Sequence, residues 1–178
     1  MFKKLPRAGV LLALASLFTT CVFAADAPYP RSADVSSING LMLAYYDVVS
    51  GPAKMARDVA RDKSLHHPDA RVYYPGRDTE GHARVTSMTI EEYHRHSASA
   101  LEQGFYEVET ERSVRQFGPS IQVWSTYESR ATPQGPVTGR GINNLILLFD
   151  GKRYSILAET WSAEDKDHPL PTTQAKPR

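Results

Sequence analysis

The chain has 178 residues, 21 basic against 20 acidic, with 41% hydrophobic and 23% charged side chains. That near-neutral balance, with no basic cluster interleaved with aromatics, excludes nucleic acid as a partner. A single cysteine, Cys21, excludes an internal disulfide and a thiolate metal centre.

Residues 1–24 read as a cleaved leader. Lys3, Lys4 and Arg7 form a positive n-region, Ala8 to Phe18 a short apolar stretch, and Val22-Phe23-Ala24 a small-residue cleavage site. The apolar stretch is about half the ~20 residues that a membrane span needs, and no other segment approaches that length. The expectation is a periplasmic or secreted protein cleaved near Ala24. Ala25-Asp26-Ala27 offers a later site, and a lipid anchor on Cys21 is an alternative for which Thr19-Thr20 is a poor context. Cleavage leaves 154 residues with 18 basic and 20 acidic side chains, a net charge of about −2. That length supports one domain with its own core. Residues 25–32 are expected to be a linker, 33–163 the domain and 164–178 a flexible tail.

In chain order, Val35, Ile38, Leu41, Met42, Tyr45, Tyr46 and Val49 recur at helical spacing and predict a helix over 34–50, capped by Asp34 and stopped by Gly51-Pro52. A second helix over 52–64 would turn Met55, Val59 and Ala60 inward. His66-His67-Pro68-Asp69 predicts a turn rather than a metal pair, because adjacent histidines of an extended chain point apart. A short strand over 71–74 and a loop over 76–87 follow. Thr89 and Glu92 form a capping box that opens a third helix ending at Gly104. Four antiparallel strands complete an α+β domain with helices against one sheet face.

The last two strands, "GRGINNLILLFDGKRYSILAETW", form a hairpin about Asp150-Gly151. A two-residue turn pairs Ile142 with Glu159 and Arg140 with Trp161, and gathers Arg140, Asn144, Glu159 and Trp161 on one face. Three readings stand: an internal Arg140–Glu159 pair roofed by Trp161, the mouth of a pocket, or solvent exposure. A one-residue slip or a bulge would exchange the faces. Near its turn both faces of the hairpin are apolar, and a helix layer covers only one. The expectation is therefore a homodimer through the outer sheet face.

This layout resembles the nuclear transport factor 2-like superfamily, which includes ketosteroid isomerase and polyketide-cyclase-like proteins. The matching stretches are "INGLMLAYYDVV", "HHPDARVYYP", the Asp-Gly hairpin with its terminal Trp, and "DKDHPLP". The resemblance spans 33–171. It implies three N-terminal helices packed on a strongly bent, mostly antiparallel sheet, forming a cone with an internal pocket and often a dimer. It does not imply one chemistry, since the superfamily holds isomerases, dehydratases and hydrolases beside non-catalytic binders.

Within that fold His94 lies on the apolar stripe of the third helix, as a satisfied core histidine or as a general base. Glu159, among Leu157 and Trp161, is the candidate acid, unless Arg140 pairs with it. Tyr45, Tyr73, Tyr93 and Trp124 are core aromatics or pocket walls with polar tips. Together with Arg140, Asn144 and Trp161 they form the candidate ligand-binding set. The aromatics favour a small apolar or aromatic ligand over a sugar phosphate or a highly charged one. No metal ligand set or phosphate loop is present in the sequence, and no cofactor is expected. The leading expectation is an exported small-molecule binder. The alternatives are a cofactor-independent isomerase, dehydratase or hydrolase using His94 and Glu159, and a dimeric interaction module without a working pocket.

Overall fold

A computed structural model of the chain describes residues 29–98 and 102–171. The elements run α1 (Ser32–Val35), α2 (Ile38–Val49), α3 (Val59–Leu65), β1 (His66–Arg77), β2 (Ala83–Met88), α4 (Ile90–His96), β3 (Tyr106–Phe117), β4 (Ser120–Arg130), β5 (Val137–Phe149) and β6 (Tyr154–Ala163). One six-stranded sheet has the order β2-β1-β6-β5-β4-β3. Every neighbouring pair is antiparallel except β1 and β6. The sheet is strongly curled around the helices, as the resemblance implies. Bulges at Thr110, Thr138 and Leu157, each a residue without a cross-strand partner, add the local bends that curl it.

The helical half departs from the sequence reading in instructive ways. The 34–50 helix is broken at Ser36-Ser37, and Ser37 rather than Asp34 caps α2, its hydroxyl accepting from Gly40 N at 3.0 Å. Asp34 is instead buried and paired with Arg61 at 2.9 Å. Arg61 also reaches Asp47, so one guanidinium ties α1, α2 and α3 together.

No helix spans 52–58, because Arg57 folds back there to donate to the carbonyls of Val49, Gly51 and Met55. It thus satisfies acceptors that the end of α2 leaves open. Asp58 caps the shorter α3, and Met55 is exposed at 52% rather than inward. Val59 and Ala60 face solvent too. The Thr89–Glu92 capping box is present, but α4 ends at His96, and residues 99–101 of the longer helix expected there lie outside the described residues.

His66 is no turn residue: it closes α3 and begins β1, which runs to Arg77. The expected 76–87 loop contains most of β2, an edge strand exposed along all but its last residue, which leaves it no inward–outward alternation to read. The main core packs α2 against β4, β5 and β6 through Leu41, Met42, Tyr45, Tyr46, Ile121, Val123, Leu145, Leu147 and Ile156. Residues 164–171, expected to be mobile, are held to the sheet end. Glu164 N donates to Arg140 O at 2.7 Å, and Glu164 accepts from Leu170 N at 3.0 Å.

The closing hairpin has the most consequential register. Phe149 faces Tyr154, so the loop is Asp150 to Arg153, four residues rather than two. Asp150 folds it, its carboxylate accepting from Lys152 N and Arg153 N at 2.8 Å each. Gly151 supplies the left-handed conformation, φ +92°. Beyond Leu147–Ile156 the pairing steps past Leu157 to Ile146–Ala158, Leu145–Glu159 and Asn143–Trp161. That step turns Glu159 and Trp161 to the face of the buried residues Asn143, Leu145 and Leu147. Arg140 and Asn144 stay on the opposite face.

Candidate functional site

Between the helices and the concave sheet lies a cavity of about 260 Å³. Its walls include Tyr45 from α2, Asp62 from α3, Tyr74 from β1, Tyr93 from α4, Glu107 from β3, Tyr127 from β4, Asn143 from β5, and Glu159 and Trp161 from β6. Six aromatic rings, counting Phe105, surround a few polar groups, the composition of a small-molecule site. Two other hollows, of about 340 and 460 Å³, are more open. One lies where the 164–171 segment crosses the outer sheet face, the other between α2 and β3.

Of the residues singled out in the sequence, Tyr45, Tyr93, Glu159 and Trp161 line the cavity. Four others do not. Tyr73 points outward, 38% exposed, because β1 alternates and buries Val72. Its neighbour Tyr74 takes the inner position and meets Trp161 edge-on, with centroids 5.3 Å apart. Trp124 and Asn144 sit on the outer face, directly paired across β4 and β5. Arg140 joins Glu164 at 3.2 Å. The expected grouping of Arg140, Asn144, Glu159 and Trp161 is therefore not formed, and no Arg140–Glu159 pair closes the site.

Glu159 has a different partner. It is 5% exposed, and its Oε1 lies 3.6 Å from His66 Nε2, too long for a hydrogen bond but an effective ion-pair distance. His66 is 5% exposed, and its Nδ1 meets the carbonyl of Asp62 at 2.8 Å. Nδ1 must donate there, so a neutral ring would turn a bare Nε2 lone pair toward a carboxylate. Protonation removes that conflict. Burial pulls the imidazole pKa down, but the Glu159 and Asp62 carboxylates outweigh it and raise the pKa to about 9. His94 lies behind this layer. Its Nε2 donates to Asp62 Oδ2 at 2.8 Å, and it is not among the lining residues.

Glu107 is the functional candidate that the sequence reading missed. Asn143 Nδ2 donates to its Oε1 at 2.8 Å and also reaches the Tyr46 hydroxyl at 3.3 Å. Tyr46 in turn bonds Ser125 at 2.6 Å, and Ser125 donates to Glu109, itself paired with Arg112. Burial raises the Glu107 pKa to about 7, and the Glu159 charge pushes it further up, against the Asn143 hydrogen bond that lowers it. Burial likewise raises the Tyr46 and Tyr127 hydroxyls to about 12, and raises those of Tyr45 and Tyr93 as well. All four tyrosines are therefore protonated donors near neutrality. Gly141 makes room for Tyr127, since a Cβ there would stand 2.6 Å from its hydroxyl. Among the described residues no group of three or more His, Cys, Asp or Glu is arranged to hold a metal ion.

No protein-family model and no curated protein matches the sequence. Solved structures match it in fold. A protein of unknown function with a cystatin-like fold from Nostoc punctiforme aligns over 72% of this chain and 90% of its own, at TM-score 0.53 and 11% identity. A protein of unknown function from Mycobacterium tuberculosis aligns over 76% of this chain and 79% of its own, at TM-score 0.53 and 14% identity. The yeast UBP3-associated protein Bre5 aligns over 72% of this chain and 94% of its own, at TM-score 0.52 and 13% identity. The helices, the curled sheet and these neighbours define a nuclear transport factor 2-like fold. Likeness at these identities extends to the fold and no further.

The two perturbed groups set how stability depends on pH. The Glu107 pKa rises from 4.5 in the unfolded chain to about 7, so the folded state holds an extra proton and stability falls as pH climbs through that window. His66, raised from 6.5 to about 9, contributes stability below pH 6.5 that is lost as pH rises through 9. Melting temperature should therefore be higher at pH 5 than at pH 8 or 9. In Glu107→Gln the fall between pH 4.5 and 7 should flatten, and stability at pH 8 should gain up to ~3 kcal/mol, at 1.36 kcal/mol per unit. Calorimetry at pH 5, 7, 8 and 9 checks both. An unchanged profile in the variant would show that Glu107 is ionised as in water.

Proposed function

We propose that this chain is an exported small-molecule-binding protein that holds a compact, largely apolar or aromatic molecule inside its cone. The observation that carries this reading is the aromatic-walled cavity with its short inventory of fixed polar groups, Glu107, Asn143, Glu159 and Asp62. An unliganded core of this size would fill such a space with side chains, because interiors are close-packed. Export rests on the leader-like residues 1–24, which lie outside the described residues. Among the described residues no helix is long and apolar enough to cross a membrane.

A second reading, a cofactor-independent proton-transfer enzyme, is favoured by Glu107. A carboxyl with a pKa near 7 in the same cavity as a second carboxylate suits general acid–base work. The pair would be Glu107 and Glu159, with His94 acting only through Asp62.

Binding is tested by thermal shift and calorimetry with indole, naphthol and phenethyl probes. Several should stabilise the protein. Ser97→Phe, which places a ring at a lining position, should abolish the shifts while the protein still melts cooperatively. No shift with any probe would remove the binding reading. For turnover, mass spectrometry should compare molecules carried by the native protein and by Glu159→Gln. Conversion predicts substrate on the variant and product on the native protein. The same compound on both would exclude it.

The homodimer through the outer sheet face is also proposed. Supporting it are Trp124, 37% exposed, and the partly buried Ile142, Ile146 and Leu148 on the same face. At the level of fold alone, Bre5 is found in a complex with the yeast deubiquitinase Ubp3, aligned here at TM-score 0.50. Protein recovered from the periplasm or medium should have the intact mass of a chain starting at Ala25 and elute as a dimer. Trp124→Asp should elute as a monomer. A native monomer, or a mass that retains the leader, refutes the corresponding part.

A further inference from the structure

We infer that the molecule held in the cone carries a protonated nitrogen: the site is built for an aromatic or alicyclic amine rather than for a neutral or anionic ligand. This rests on the small-molecule-binding reading and adds to it the charge of the ligand.

Three observations carry it. The first is the charge of the wall. Asp62, Glu107 and Glu159 line the cavity, and among the described residues no Lys or Arg does. Two of these acids already have a basic neighbour, His94 on Asp62 and His66 beside Glu159. Glu107 has none, and its Oε1 contact is the neutral amide of Asn143. An ammonium group is the ligand feature that gives Glu107 a counter-charge, whereas a ligand carboxylate or phosphate would face three acids at close range.

The second is an open acceptor. Glu159 is nine-tenths buried, and its Oε2 is shielded from solvent with no hydrogen-bond partner among the described residues. A buried carboxylate oxygen left without a donor is unfavourable, and an N–H from a ligand that draws Glu159 toward the cavity would relieve it.

The third is the arrangement of rings. Trp161 stands edge-to-face with Tyr74 and with Tyr93, at 5.3 and 5.7 Å between centroids and interplanar angles of 90° and 67°. Mutually tilted rings present faces in different directions around one space, the arrangement that favours organic cations through the ring quadrupole. Carboxylates and tilted rings in one enclosure make the same selection by independent physics.

The pH dependence follows from the groups around Glu107. These are Tyr45 and Tyr46 from α2, Asp62 from α3, Tyr93 from α4, Tyr127 from β4, Glu159 from β6 with His66 behind it, and Glu109 on its own strand. The tyrosines stay protonated through neutrality, and His66 loses its proton only near pH 9. Between pH 6 and 8 the perturbed group of this set that changes charge is Glu107. Affinity for a permanently protonated amine should rise across that interval, while affinity for a neutral isostere should not.

The experiment uses two matched series on the mature protein: tryptamine, tryptophol and indole-3-propionate, then phenethylamine, 2-phenylethanol and 3-phenylpropionate. Calorimetry at pH 6 and pH 8 is expected to rank the amine first at pH 8, by about tenfold over the alcohol, with the acid last. The advantage should shrink at pH 6. Glu107→Gln and Glu159→Gln should bring the amine down to the alcohol's affinity. The native measurements stand by themselves if a variant fails to fold. Alcohol binding equal to or better than the amine in both series would overturn the inference and leave the binding reading intact. No binding by any of the six probes or the wider aromatic set would overturn both.

Discussion

One unpaired residue decides what the cavity contains. Leu157, stepped over in the β5–β6 ladder, shifts the pairing by one and thereby carries Glu159 and Trp161 to the concave face. The longer loop at Asp150 would not have done this, because adding two residues preserves the alternation of faces. Only the bulge changes it, since side chains of a strand alternate with period two. Without that step Glu159 would pair with Asn144 on the outer face, and His66 would face no carboxylate from β6. The pocket's acid, its aromatic floor and the histidine pair behind it all depend on this local irregularity.

The polar groups so gathered form two linked layers. One runs from His94 through Asp62 and His66 to Glu159 and joins α4, α3, β1 and β6. The other runs from Glu107 through Asn143, Tyr46 and Ser125 to Glu109 and Arg112, joining β3, β5, α2 and β4. In the first layer each acid has a cationic or hydrogen-bonded neighbour, as burial demands. The second ends at the cavity on a carboxyl whose hydrogen-bond donor is the neutral amide of Asn143 and which has no cationic neighbour among the described residues. A structural network has no need to terminate on an uncompensated acid, whereas a site that meets a ligand does.

The sequence made the class of fold legible and left the site half visible. Helical spacing of Leu41, Met42, Tyr45 and Tyr46, the Thr89 capping box and the Asp-Gly hairpin are local signals, and each is present in the structure. The site depends on facing, which local patterns mark weakly. Tyr74 rather than Tyr73 was readable from Ala70 and Val72, two apolar residues at alternate positions. Glu107 was not: in a strand rich in Glu and Arg, the inward acid looks like its outward neighbours. His66 was hidden by its sequence neighbours, since Pro68-Asp69 signals a turn while the backbone runs straight into β1. A bulge leaves no dependable mark in one sequence, so the Arg140–Glu159 pair was a sound deduction from the wrong register.

The chain also keeps a feature that stability alone would discard. Glutamine at 107 could accept the same hydrogen bond from Asn143 without the desolvation that raises the carboxyl's pKa to about 7. Leucine at 159 would fill apolar space beside Val72 and Leu145, its neighbours across the ladders. Holding acids at both places costs folding free energy, and the hydrogen bonds present do not require it. Local rules broken together, in one enclosed space, against a background of well-capped helices and a dry core of Leu, Val and Ile, are the mark of a site rather than of loose packing. The fold's many uses elsewhere assign no chemistry to this one. Under the proposed reading Glu107 does, because its charge has no basic neighbour among the described residues and favours a positive partner.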